Sequence, residues 1–120
     1  MTKNEMLLRT KSFALRVVRA VQALPRDDVA VILGRQLLRS GTSVGANYRA
    51  ACRAKSTPDF INKLKIVEEE CDETIYWMEL LTEAGLLSAA KLSALIQEAD
   101  ELLAITVAAL RTSRARPAHS

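Results

Sequence analysis

The residues best equipped for chemistry are four arginines. Arg35, Arg39, Arg49 and Arg53 follow one another at spacings of four, ten and four. On an α-helix, at about 100° per residue, they project within roughly 40° of one line and span about 27 Å. No acid lies in this segment beyond Asp27 and Asp28 at its start, so nothing within the helix neutralises the stripe. Guanidinium groups stay charged and grip phosphate oxygens in pairs, so such a ladder suits a nucleic-acid backbone. Arg9, Arg16 and Arg19 similarly face away from the core of the preceding segment. No aromatic interleaves with the ladder, which offers bases nothing to stack on and points to backbone contact without sequence reading. Two other readings explain the same residues: a solvated outer helix face, and pairing with an acidic neighbouring subunit.

Other chemistries lack their parts. The single histidine, His119, is the penultimate residue, so general acid–base work and a histidine-assisted nucleophile have no scaffold. Cys52 and Cys71 lie nineteen residues apart with no CxxC and no nearby histidine. That spacing argues against zinc and for two reduced thiols packed as small apolar groups. Gly41-Thr42-Ser43-Val44-Gly45 looks superficially like a phosphate loop, yet no Lys-Ser/Thr follows and no strand precedes it. The run Glu68-Glu69-Glu70, with Asp72 and Glu73, would need inward Glu-x-x-His pairs to hold a metal cluster, and no helix supplies one. The expectation is no enzyme activity, no cofactor and no metal.

Helices must position these residues. A chain of 120 residues that is 49% hydrophobic builds one compact domain. Four glycines, three prolines and 4% aromatics argue against a sandwich or barrel. Ala, Leu, Glu, Arg and Lys, the good helix formers, dominate instead. The expected fold is all-α, an antiparallel up-down four-helix bundle with helices at about 3–23, 27–54, 58–84 and 89–112 and a flexible tail at 113–120. Pro25 ends the first helix and Asp27 or Asp28 caps the second. Ser56-Thr57-Pro58-Asp59 opens the third, Gly85-Leu86 closes it, and Ser88 caps the fourth.

The seams follow from the spacing of apolar residues. Helix one offers Leu7, Thr10, Ala14, Val17, Val21 and Leu24; helix two offers Val29, Ile32, Leu33, Leu37, Ser40, Val44, Tyr48 and Ala51. Phe60, Leu64, Val67, Cys71, Thr74, Met78 and Leu81 keep a strict 4-3-4-3 spacing, and Leu92, Ala99 and Thr106 anchor the fourth seam. Gly41 and Gly45 inside helix two predict a bend or a close helix crossing. No apolar run is long enough to span a membrane, and Lys3, Glu5, Arg9 and Lys11 stand where a signal peptide would be apolar, so the expected location is cytoplasmic.

Residues 1–57 hold eleven lysines and arginines against three acids, whereas residues 58–120 hold six against eleven. A basic half and an acidic half imply an anionic partner or mutual pairing. Helix three also carries Ile66, Trp77 and Leu80 well away from its seam. A second apolar stripe on so small a bundle predicts a homo-oligomer interface there.

The segment Arg35-Gln36-Leu37-Leu38-Arg39-Ser40-Gly41-Thr42-Ser43-Val44-Gly45-Ala46-Asn47 resembles the central signature of the bacterial four-helix-bundle family named for the 23S rRNA intervening-sequence protein. Asp59-Phe60-Ile61-Asn62-Lys63-Leu64 and Glu73-Thr74-Ile75-Tyr76-Trp77-Met78-Glu79-Leu80-Leu81 match its later blocks, and the resemblance covers about residues 6–110. It implies a ring-like homopentamer. It extends distantly to the accessory proteins of diversity-generating retroelements, which bind nucleic acid and a reverse transcriptase. Where many members continue Asn-Ile-Ala-Glu-Gly, this chain has Asn47-Tyr48-Arg49-Ala50-Ala51, losing a Glu and gaining an Arg. The expected function is a non-catalytic oligomeric bundle that binds RNA or DNA backbone through Arg35, Arg39, Arg49, Arg53, Arg16 and Arg19, as an accessory to an RNA-processing or reverse-transcribing enzyme. The alternative is a protein scaffold whose basic and acidic helices pair between subunits.

Overall fold

The computed structural model describes residues 1–115. It contains α1 (Lys3–Gln22), α2 (Asp28–Cys52), α3 (Thr57–Glu83) and α4 (Ala89–Ala115). Each start is fixed by a polar side chain that occupies orphan amides of the first turn. Thr2 accepts from the Glu5 amide at 3.1 Å while the Glu5 carboxylate accepts from the Thr2 amide, a reciprocal capping box. Asp27 accepts from Ala30 at 2.8 Å, Ser56 from Asp59 at 3.2 Å and Ser88 from Lys91 at 3.3 Å. At the end of α3, Gly85 takes φ +74°. The Leu86 amide then reaches the Leu81 carbonyl and the Gly85 amide that of Thr82, each at 3.0 Å, as the left-handed stop requires.

The helices pack in chain order around one axis, each against its sequence neighbour, with α1 and α4 closing the circle through the sparsest contact. The rod measures 53 × 21 × 21 Å. Register along α2 shows the antiparallel sense. Gly34, Gly41 and Gly45 face Leu24, Val17 and Thr10 in turn, so α2 ascends as α1 descends. At Gly41 a Cβ atom would stand 2.7 Å from Val17, so the glycine permits a close crossing of α1 and α2.

The α3 and α4 seams lie where the periodicity places them. Leu64, Val67, Cys71, Thr74, Met78 and Leu81 are buried, as are Leu92, Leu95, Ala99, Leu102, Thr106 and Leu110. The α1 and α2 seams are shifted. Met6 and Phe13 fill the core with Thr10 and Val17, while Leu7 and Ala14 are only half-buried. On α2 the core takes Ala30, Gly34, Leu37, Ser40, Gly41, Val44 and Ala51, whereas Val29 and Ile32 are 56% and 59% exposed. The close approach of α1 explains the exchange: small residues fit the contact and the bulkier neighbours are turned outward. The fourth helix also continues through Ser113 and Arg114 to Ala115, beyond the expected end at 112. The rest of the expected tail, residues 116–120, lies outside the described residues, with Pro117 and His119.

Candidate nucleic-acid interface

Arg35, Arg49 and Arg53 are exposed on the outward side of α2 or at its C-terminal cap, and none has a carboxylate within ion-pair distance among the described residues. Arg39 differs. Its guanidinium donates to Glu70 at 3.1 Å and pairs with Glu73 as well, both on α3. The ladder is therefore three free cations and one that clamps α2 to α3. No acid on α2 could have revealed this, because the partners come from the next helix. Thr42 and Ser43 do not add donors for a ligand either. Their hydroxyls donate back to the Leu38 and Arg39 carbonyls at 2.7 and 2.6 Å. With Gly41–Gly45 in mid-helix, its amides serve the helix and cannot cradle a phosphate.

Arg16 and Arg19 belong to another surface. They line a groove between α1 and α4 together with Lys91, Leu87 and Leu95. Arg9, one turn and more away, is forked onto α4. Its Nε and Nη2 donate to the two Glu98 oxygens at 2.8 and 2.7 Å, and Nη2 also reaches Glu101 at 2.8 Å. These two glutamates raise the already high Arg9 pKa further. The six arginines expected to act together thus divide into the α2 ladder, the α1–α4 groove and the Arg39 clamp.

The residues expected at an oligomer interface also divide. Ile66 is exposed and Leu80 half-buried on the outer side of α3. Trp77 packs against the core edge, its indole N–H is buried without an acceptor among the described residues, and its ring meets Tyr76 edge-on at 5.0 Å. Leu8 and Leu15 on α1, 72% and 50% exposed, were missed. Their seven-residue spacing off the core seam was the available signal. At the α2 C-terminal end, Tyr48 and Cys52 share a recess with Lys3 and Lys55. Burial, then Cys52, pushes the Tyr48 hydroxyl up to about 12.

This geometry can hold an extended anion by charge alone; among the described residues no cluster of three potential metal ligands and no helix long and apolar enough to cross a membrane occurs. The sequence profile of the 23S rRNA-intervening sequence protein family matches residues 2–108. The chain belongs to that family. Its fold is also that of a solved protein of unknown function from the S23 ribosomal protein family of Bacteroides thetaiotaomicron. The two are 33% identical, with a TM-score of 0.83, over 88% of this chain and 97% of the other. No protein of curated function matches the sequence. Membership in the 23S rRNA-intervening sequence protein family agrees with the helical bundle and with the motif blocks that carried the resemblance, Arg35–Asn47 among them.

Proposed function

We propose that the protein is a non-catalytic, self-associating helical bundle that binds the phosphate backbone of RNA or DNA, as an accessory to an RNA-processing or reverse-transcribing enzyme. The observation that carries this reading is the set of exposed guanidiniums of Arg35, Arg49 and Arg53 on one side of α2, unpaired among the described residues. Its link to RNA comes from the name of the family, and the ring of five chains from the resemblance. Repetition of the ladder in an oligomer raises avidity beyond what a single +3 chain supplies.

The test is binding of mixed-sequence RNA and DNA as a function of salt. Each phosphate contact contributes about −0.9 on duplex DNA, and about −0.7 on a single strand, to the slope of log K against log salt. Replacing Arg35, Arg49 and Arg53 by Ala should weaken binding to all sequences alike and flatten that slope. Absence of wild-type binding at about 50 mM salt removes the nucleic-acid reading, because backbone contacts are strongest there.

A protein-scaffold reading is favoured by one observation. Val29, Val31 and Ile32 are exposed at the start of α2, beside the ladder, and phosphate has no use for them. Under that reading the triple variant loses a protein partner and not a nucleic acid.

A further inference from the structure

Two ridges other than the ladder stay uncovered, one on α1 and one on α3. On α1, Leu8, Lys11, Leu15 and Arg19 follow at three- and four-residue spacings, all exposed. On α3, Ile66, Glu69, Tyr76 and Leu80 follow at spacings of three, seven and four, on the side away from the core seam, while Glu73 between them is engaged by Arg39 of the same chain. Each ridge carries both apolar and charged side chains, and the charges are opposite. Glu5 is the only exposed acid of α1, against Lys3, Lys11 and Arg19. Lys65 is the only exposed cation of α3, against Glu69, Asp72, Glu79 and Glu83. The two helices do not touch within the chain; they occupy opposite corners of the bundle.

We propose that the α1 ridge of one copy docks onto the α3 ridge of the next, head to tail. This rests on the self-association proposed above and assigns its mating surfaces. The occupant is a second copy because the chain itself carries the complement of each ridge. The ridges are of similar reach, about 16 Å from Leu8 to Arg19 and about 21 Å from Ile66 to Leu80. Neither can pair with itself. Joining two α1 ridges sets Lys11 and Arg19 against cations, and joining two α3 ridges sets Glu69 and Asp72 against acids, which like-charge repulsion penalises. Surfaces on opposite corners make a heterologous contact, repeated by the same rotation from copy to copy. The α2 corner lies between the two docking corners, so that Arg35 and Arg53 recur along the assembly, while Arg49 shares a groove with Leu8 and Lys11 at the edge of the α1 ridge.

Charge reversal at exposed positions tests the pairing without touching the core. One variant carries Lys11→Glu and Arg19→Glu, a second Glu69→Lys and Asp72→Lys, and a third all four. Sedimentation at micromolar concentration reads the mass, and circular dichroism confirms the helices. Each double variant should weaken association about tenfold or more, and the fourfold variant should regain the wild-type mass, since both ridges are reversed together. A wild type that sediments as a single chain overturns the pairing and self-association alike. An oligomeric wild type whose mass survives both double variants overturns the pairing alone. Dissociation that the fourfold variant fails to restore also overturns it, because the charges then face something other than each other.

Discussion

The outward sides of α2 and α4 differ although their inward sides are equally well packed. Leu37 and Val44 on one and Leu92 and Leu102 on the other are fully buried. Outside, α2 displays Val29, Val31 and Ile32 and then Arg35 and Arg49, whereas α4 exposes no large hydrophobic side chain among the described residues. Its exposed positions are small or of mixed charge, such as Lys91, Ala94, Gln97, Asp100, Glu101, Ala104 and Arg111. A bundle needs only a polar exterior, and α4 shows how little that demands. The excess on α2 is what folding does not require, and it is the side to which the proposed function assigns a partner.

The sharpest test of this contrast is charge reversal on each side. Arg35→Glu, Arg49→Glu and Arg53→Glu together should reduce nucleic-acid affinity about 100-fold or more near 100 mM salt. Lys91→Glu with Arg111→Glu on α4 should change it only about threefold, through net charge alone. Fluorescence anisotropy on one labelled RNA measures both. Equal losses would erase the distinction.

Helix spacing gives the next contrast. Gly41→Ala should destabilise the fold by about 1–3 kcal/mol despite alanine's better helix propensity, because Val17 occupies the space. Ala104→Gly, outward on α4, should cost about 1 kcal/mol from propensity alone. Urea unfolding of both variants beside the wild type separates the two. A stabilised Gly41→Ala protein would show that α1 and α2 are not held at this distance.

Smaller still are the two clamps on which the helices close. Arg9→Met should cost about 1–2 kcal/mol, since its forked bond to Glu98 is partly shielded. Arg39→Met should cost about 1 kcal/mol or less, because Arg39 is half-exposed. Thermal melts at low and high salt check the order, and the Arg39 pair should be the more salt-sensitive.

Cys71 supplies a pH-dependent test of the α3 seam. Burial, then Glu70 and Asp72, pushes its thiol from 9.0 up to about 12. Above pH 9 the unfolded chain gives up this proton while the folded chain keeps it. Stability therefore falls with rising pH from about 9 towards 12, by up to about 1.4 kcal/mol per pH unit from this group. Cys71→Val should flatten that alkaline limb. Thiol labelling of the native protein should modify the half-buried Cys52 first, and prompt labelling of Cys71 would contradict its place in the core.

The smallest effect lies at the α3 start. The Lys55 amide, and then Lys63, hold the Asp59 carboxyl below its ordinary value of 3.8. The stabilisation is present above that value and disappears as pH falls through the lower folded one. Asp59→Asn should remove this acid limb and lower stability at pH 7 by the same small amount, so that the variant and the wild type converge in acid, as followed by helicity on acid titration.

The sequence by itself determined the fold class and most of the architecture. Caps at Asp27, Ser56 and Ser88 and the stop at Gly85 act through local backbone chemistry, so they are legible residue by residue. The α3 and α4 seams are legible for the same reason, since each face has one apolar stripe at a fixed period. What only the tertiary structure decided was the choice among neighbouring positions and partners distant in sequence. Gly34 and Ala30 displaced Val29 and Ile32 from the core because α1 comes too close for bulk. Arg39 left the ladder because Glu70 and Glu73, more than thirty residues away, fold beside it. Arg16 and Arg19 separated from the α2 arginines because they lie on the flank of α1 that meets α4. Periodicity fixes which way a side chain points from its own helix; what waits there is set by how the helices are packed.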